Sequence, residues 1–460
     1  MPCHCLYCMY GQWHLLGRFM SYLISSADVC TKTELKTDAQ GALSCEPISG
    51  NIGSLPTLFN QDGTFNHEAN SYLLYQKAIN QAKDLSPCAK ALHAYYQFLE
   101  DNGLTWDYFP PVKRLKPTYQ FRSHLLKQVK LEELAQSTAS VRMNHIVNYY
   151  KWLMHDGYLR IRNEKEAPFK IAFVSVKNTG MLAHLSPTYT VQTSDLRIKV
   201  ARDASSKNVR PLSPLSRESL AILTQHLPQT AEELRLQVLL SIDTGLRINE
   251  VATLTLDVLD TATPLAESQH RYELLLSPQI TGVQTKYSKS RQIEVSAQLL
   301  TVLNEYRTSE RRLKRLTKLY QKIELLTDPQ ASFHQAAIDT LQWCKKHEPL
   351  FVSKLGNPVT AKSIEARWTE FRTQLKQLHP SFTYRFHDLR STYGTYRLND
   401  LLEANLSVVE CMELLMGWMG HKNESTTWKY LRFLKQKEAF KIKFGMLDSI
   451  MHEALGGNDE

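Results

Sequence analysis

No apolar run in this 460-residue chain reaches the 18 or so residues that a bilayer-spanning helix needs. The nearest candidate, residues 13–24, is short and interrupted by Arg18. It lacks a basic start and a small-residue cleavage site, so it does not read as a secretory signal. Cysteine is sparse and unevenly placed. Of eight, Cys3, Cys5, Cys8, Cys30 and Cys45 crowd the start, and Cys88, Cys344 and Cys411 are scattered. That is no disulfide framework, and a reducing cytoplasm fits it best. Cys5 and Cys8 have C-x-x-C spacing with His4 and His14 nearby, yet no second pair sits at a zinc-finger interval. Incidental cysteines are the favoured reading, with a zinc site the alternative. There is no internal repeat and no low-complexity tract. Acidic residues are in deficit: 46 Asp and Glu face 55 Lys and Arg, a formal charge of +9. The excess points to a polyanionic partner. No basic amphipathic anchor stands out, which argues against a membrane surface.

What is present reads as a soluble globular chain, 43% hydrophobic and 22% charged, of two to four domains at roughly 150 residues each. Residues 1–65 carry more acidic than basic side chains, and 27–63 are rich in Ser, Thr, Gly and Asp. This N-terminal segment is expected to be poorly defined, as loop or loose linker. From His67 the apolar spacing is helical, through Tyr72, Leu73, Tyr75, Ile79 and Ala82. Ser86 and Pro87 open a second helix with Ala91, Leu92, Tyr95, Phe98 and Leu99 on one face, stopped by Gly103. Residues 138–156 form another, ended by Gly157. Between them, residues 112–130 hold six basic residues and no acidic one, with Tyr119 and Phe121 interleaved. Such a mix can track phosphates and stack on bases.

Strand-like pieces follow at 171–176, 188–193 and 196–200, then a linker at 201–210, which places the main boundary near residue 205. Beyond it, helices are expected at 217–227, 231–243 and 249–256. Paired strands follow at 272–276 and 290–295, around a Lys- and Ser-rich turn, and then one long helix at 297–326. The stretch 305–324 carries seven basic and three acidic residues and reads as a solvated helix face. The fold class is mainly α with a small β-sheet, divided as 1–65, 66–204 and 205–460.

Five segments in the C-terminal half share a coherent chemistry. They are Thr244-Gly245-Leu246-Arg247-Ile248-Asn249-Glu250, Thr285-Lys286-Tyr287-Ser288-Lys289-Ser290-Arg291, His387-Asp388-Leu389-Arg390, Gly417-Trp418-Met419-Gly420-His421, and Tyr430 nine residues on. Alone, each is weak. An Arg after a helix-ending Gly is usually a surface residue, a Lys in a polar turn is usually solvated, and a Tyr on an amphipathic stretch is usually core. Together, two Arg can grip a phosphodiester and two His can donate to it or move a proton. A Lys can protonate a leaving oxygen, and a Tyr hydroxyl can be the nucleophile. Acidic pairs of the kind that hold two metals are absent near these motifs, so cationic side chains must balance transition-state charge.

In this order and spacing the five segments resemble the catalytic domain of the tyrosine recombinase, or phage integrase, family. Arg247, Lys286, His387 with Arg390, His421 and Tyr430 match the family's positions. The run His387-Asp388-Leu389-Arg390-Ser391-Thr392-Tyr393 is similar to its His-x-Leu-Arg-His-Thr-Phe segment, and Leu350-Phe351 with Gly356-Asn357-Pro358 fits the approach to it. The resemblance covers about residues 211–440. Arg247 and Lys286 lie further apart than in many relatives, which an insertion near 261–270 accounts for. Lys289 is the alternative to Lys286.

The resemblance implies a metal- and ATP-independent DNA strand transferase without a cofactor. Arg247, Arg390 and His421 would cradle the scissile phosphate, and Tyr430 would attack it to give a 3′-phosphotyrosyl link. Lys286 would protonate the departing 5′-oxygen, and His387 would assist proton transfer or orient the phosphate. It further implies a helical core-binding domain at 66–204 that clamps double-stranded DNA, and a homotetramer on paired DNA sites. Accessory DNA-bending or sister recombinase proteins and a protomer-docking C-terminal tail belong to the same picture. An integrase of a mobile element is the favoured reading. A resolvase, a type IB topoisomerase-like enzyme, or a non-catalytic DNA-binding protein on this scaffold are the alternatives.

Overall fold

The computed structural model describes residues 21–37, 43–82, 84–176, 189–199, 212–265, 270–328, 333–404, 406–421 and 426–435. The N-terminal Cys3, Cys5 and Cys8 with His4 and His14, the 201–210 linker and the apolar stripe after residue 436 lie outside them. The chain divides into two units, residues 1–209 with 333–338, and 210–332 with 339–460. Among the described residues no helix is long and apolar enough to cross a membrane.

The first unit opens with strands where loop was expected. β1 (Tyr22–Ser26), β2 (Cys30–Thr37), β3 (Leu43–Asn51) and β4 (Leu55–Phe59) form two antiparallel pairs, β1 with β4 and β2 with β3. Backbone pairing carries the Ser- and Thr-rich strands, so apolar periodicity is faint there. β4 carries a largely buried run, and Val29, Leu55 and Leu58 join the core of the unit. That core lies among α1 (His67–Ala78), α2 (Ser86–Asp101), α3 (Pro117–Lys130) and α4 (Gln136–His155). It is rich in tyrosine, and the phenols satisfy one another. Tyr95 bonds Tyr150 at 2.7 Å, and Tyr96 bonds Tyr149 at 2.7 Å.

The basic stretch 112–130 is α3 with its approach, and its rings are not offered to bases. Phe121 is 1% exposed within the core. The Tyr119 hydroxyl donates to Asp195 at 2.7 Å, and Lys113 pairs with the same carboxylate at 2.6 Å. Arg114, Lys127 and Lys130 remain exposed. After β5 (Ile171–Val176) and its antiparallel partner β6 (Tyr189–Ser194), residues 195–199 are no strand. Their carbonyls instead take side-chain bonds, Leu196 from Arg122 at 3.1 Å and Ile198 from Ser140 at 3.0 Å.

The second unit begins with α5 (Arg217–His226), α6 (Glu232–Thr244), α7 (Ile248–Ala252) and α8 (Leu256–Asp260). The single helix expected at 249–256 is thus two, because Thr255 starts a new one as N-cap. β7 (Thr263–Pro264), β8 (Arg271–Leu276) and β9 (Arg291–Ser296) form one antiparallel sheet in that order. α9 (Ala297–Thr308) and α10 (Glu310–Glu324) replace the expected long helix. Ser309 ends the first in an extended conformation, and its hydroxyl caps the second at Arg312 N. α11 (Gln335–Lys346, of which residues 339–346 fall in this unit), α12 (Ala361–Leu378), α13 (Phe386–Glu403), α14 (Val408–Met419) and a helix over 426–435, α15, follow among the described residues. Leu240, Val251, Ile293, Phe351, Trp368 and Leu389 sit in the main core, and α13 packs against α6 and α14.

The basic face of residues 305–324 is not simply solvated, because all seven cations have partners. Arg311 and Arg315 converge on buried Glu233, each at 2.7 Å, and Arg307 pairs with Asp260. Arg312, 1% exposed, donates to the carbonyls of Leu350, Arg307 and Pro349 and to Glu348 at 2.6 Å. Lys318 and Lys322 donate to the carbonyls of Lys354 and Leu355, and Lys314 pairs with Glu310. α10 is fastened to residues 348–357 by its charges as much as by its apolar side. Removing one partner of a buried charge network costs about 3–5 kcal/mol. Arg312→Ala should therefore lose stability of that order in denaturant titration, while Lys314→Ala should change it little. Equal, small effects of both would return the helix to a solvated face.

Candidate active site

The site begins where α6 stops. Gly245 takes φ +65°, and a Cβ there would lie 2.3 Å from Tyr393 Cδ1, so only glycine fits the turn. Two residues on, Arg247 is the N-cap of α7. Glu250, three residues further, accepts the Arg247 N–H at 2.8 Å and its guanidinium at 3.1 Å. The same carboxylate takes two bonds from Arg291 at the start of β9, at 2.9 and 2.7 Å. Burial alone would raise the Glu250 carboxyl. The bonds and charge of Arg291, then the N–H and charge of Arg247, outweigh it and hold the group below its usual range.

The end of α14 supplies the second wall. Three successive carbonyls there receive three different arginines: Trp418 O from Arg291 Nε at 3.1 Å, Met419 O from Arg390 Nη2, and Gly420 O from Arg247 Nη2 at 3.1 Å. A helix C-terminus carries partial negative charge and orphan carbonyls, both matched by guanidinium. Gly420 closes the helix at φ +59°, and a Cβ there would lie 2.9 Å from Arg291 Cδ. Arg390, 3% exposed on α13, also donates to Gly245 O. Burial, then the charge of Arg247, pushes its pKa down to about 10, so it stays charged at neutral pH.

His421 follows directly. Its Nδ1 is 2.9 Å from Thr427 Oγ1, and its ring stacks on Tyr430 at 6.1 Å between centroids. In the tautomer where Thr427 donates to Nδ1, the ring proton is on Nε2, which is then a donor. Burial, followed by the charges of Arg390, Arg247, Arg291 and His387, drives its pKa down to about 3. The imidazole is neutral at physiological pH. Tyr430, on α15, is 5% exposed in a small core with Met419 and Leu415 and bonds to Ser391. A Cβ on Gly394 would fall 2.7 Å from Tyr430 Cε1, so glycine makes room for the ring. Burial raises the phenol above its usual range, although Arg390, the Ser391 bond and Arg247 pull against it.

The structure therefore gathers Arg247, Arg390, His421 and Tyr430. His387 is exposed on the first turn of α13, within electrostatic reach of His421. Lys286 and Lys289 are exposed on the β8–β9 connection and make none of these contacts. Lys286 Nζ lies 5.1 Å from the centre of the Tyr287 ring. Sequence reasoning passed over Glu250, Arg291 and Ser391, though each stands inside a quoted segment. Glu250 was detectable, since a Glu three residues after an N-cap is capping-box spacing. Arg291 was hidden in a turn of mixed polar residues. Among the described residues no group of three or more His, Cys, Asp or Glu could hold a metal ion.

The His421 shift has a definite sign. As pH falls through about 6.5 the unfolded chain takes up this proton, while the folded chain resists until about 3. Stability from this group is thus present above 6.5 and lost between 6.5 and 3. The stability difference between wild type and His421→Gln should shrink steadily as pH is lowered from 7 to 4 in denaturant titrations. A difference independent of pH would refute the buried neutral imidazole.

A model of the phage integrase family matches residues 215–437, a span that holds all six sequence-predicted site residues. Comparison with curated proteins gave no match. Among solved structures, similarity extends to the XerH site-specific recombinase bound to a palindromic difH substrate, at 15% identity and TM-score 0.46, over 81% of this chain and 82% of that one. It extends also to the Tn1549 transposon integrase with a circular intermediate DNA (16%, 0.44, 78% and 93%) and to a lambda integrase dimer on a COC′ core site (14%, 0.43, 79% and 94%). Residues 215–437, a little under half of the chain, thus match the phage integrase, or tyrosine recombinase, family, whose members break and rejoin DNA strands.

Proposed function

We propose that this protein is a site-specific DNA recombinase, the integrase of a mobile element, working through a 3′-phosphotyrosyl intermediate on Tyr430. The observation that carries the reading is the trio of arginines on consecutive carbonyls of α14, served by one buried carboxylate and placed beside His421 and Tyr430. With Glu250 matched by Arg291, the guanidinium groups of Arg247 and Arg390 leave a net positive site, which suits a phosphodiester.

In this reading Arg247, Arg390 and the Nε2–H of His421 hold the non-bridging oxygens. The Tyr430 oxygen attacks phosphorus, the new O–P bond forms and the bond to the 5′-oxygen breaks. The electron pair leaves with that oxygen, which takes a proton from Lys286. Burial keeps the resting phenol protonated, so proton loss accompanies attack, with His387 as the acceptor. The phosphoester is conserved in the intermediate, and the 5′-hydroxyl of a partner strand reverses the step without a nucleotide cofactor. Residues 66–204 act as the DNA-clamping domain, with Arg114, Lys127 and Lys130 available to phosphates, and strand exchange takes place in a homotetramer on paired sites.

Covalent trapping tests this. Wild type and Tyr430→Phe are incubated with fragmented DNA of the source replicon, denatured in detergent, and the protein-linked DNA and peptide are sequenced. DNA joined to Tyr430 at one recurrent sequence, in wild type only, is expected. Adducts scattered without sequence preference, with relaxation of supercoiled plasmid, would replace the reading with a topoisomerase-like one. Tight binding with no adduct would replace it with a DNA-binding protein.

A further inference from the structure

The lysine of the proposed mechanism stands on a turn that must be aimed. The β8–β9 connection, 277–290, contains two non-glycine residues with positive φ, Tyr287 at 63° and Ser288 at 52°. Such backbone is strained and persists only where its surroundings hold it. Both legs of this turn are fastened to one short helix. On the leading leg, Asn249 Nδ2 donates to Gln284 O at 3.3 Å, and Gln284 N donates to Thr253 Oγ1 at 3.0 Å. On the trailing leg, Arg291 grips Glu250 with both terminal nitrogens and reaches Trp418 O with Nε. Asn249, Glu250 and Thr253 all belong to α7 or its C-cap, and the N-cap of α7 is Arg247.

We propose that Arg291 is a positioning residue that aligns the Lys286 turn with the Arg247 phosphate clamp, using α7 as the common platform. The inference rests on the reading above, in which a lysine of this turn protonates the leaving 5′-oxygen, and it holds whether Lys286 or Lys289 is that lysine. In that reading Arg291 is assigned no contact with the phosphate or the leaving group. Its side chain is occupied by Glu250 and Trp418 O, and its loss would free the trailing leg from α7. Lysine cannot substitute fully, because one ammonium cannot bond both carboxylate oxygens in a fork and reach the carbonyl as well.

The role predicts a chemical signature that damage to the fold would not produce. A substrate with sulfur in place of the leaving 5′-oxygen expels a thiolate, which needs no proton from the enzyme. Single-turnover cleavage by Arg291→Lys is therefore compared on oxygen and sulfur versions of the trapped site. General acid catalysis is worth about 100- to 10,000-fold, so displacing the lysine should slow cleavage of the oxygen substrate at least about tenfold. The sulfur substrate should be cleaved within about threefold of wild type, with DNA affinity unchanged. Lys286→Ala or Lys289→Ala should show the same oxygen-specific loss, whereas Arg247→Lys should lose on both substrates. Thr253→Val, which loosens the leading leg, should follow Arg291→Lys with a smaller effect, and it decides the matter if Arg291→Lys does not fold. Wild-type cleavage of the oxygen substrate by the variants, or equal losses on oxygen and sulfur, would overturn the proposal. If wild type forms no Tyr430 adduct on either substrate, the recombinase reading itself has failed, and the two failures are told apart.

Discussion

The C-terminus of α14 organises the candidate site of the second unit. Helix ends expose carbonyls that need donors and concentrate negative dipole, and here three in a row are each given an arginine from a different element. Arg291 arrives from β9, Arg390 from α13 and Arg247 from the cap of α7. Segments separated by well over a hundred residues are thereby fixed against one another at one point. Gly420 permits this. Its left-handed backbone ends the helix, and its missing Cβ leaves room for Arg291. His421 emerges from the same turn, so the ring beside Tyr430 inherits its place from the helix end that holds the arginines.

Like charges so close need a counterion, and Glu250 provides it. It bonds both Arg291 and Arg247 while buried. Their combined charge reaches further. Burial first, and then this charge together with that of Arg390, disfavour a positive charge on His421 and keep the imidazole neutral. Arg390, the Ser391 bond and Arg247 draw the phenol of Tyr430 downward against burial without overcoming it. The resting site is thus cationic around a protonated phenol.

The residues gathered at the end of α14 were more legible in the sequence than the partners that hold them. Arg247, Arg390, His421 and Tyr430 stand in motifs whose spacing survives being read one residue at a time. What could not be read was whatever depends on partners distant in sequence. Glu250 meets Arg291 across 41 positions. The strands of 22–59 pair through backbone, which leaves little side-chain pattern. Phe121 and Tyr119 looked like a stacking surface because composition does not distinguish a ring facing solvent from one facing a core. The break at Ser309 is a capping choice in one residue, invisible to an apolar period that continues on both sides. Helix positions such as α5 and α6 were readable because their spacing is local.

The arginines of α10 and of the active site show why basic residues had to be sorted by acceptor. Arg311 and Arg315 end on Glu233, Arg307 on Asp260, and Arg312 on Glu348 with three carbonyls. A carboxylate acceptor neutralises a guanidinium as it fixes it, so these cations are spent on the fold. Arg390 is fixed just as firmly, but by the carbonyls of Gly245 and Met419. Carbonyls orient the side chain without cancelling its charge. Its depressed pKa follows from that, since burial and a neighbouring arginine act on a cation with no carboxylate of its own. A guanidinium kept buried, immobile and uncancelled is costly for the folded protein. In the proposed reaction it becomes favourable when the phosphate enters, because that anion would supply the charge that the protein has withheld.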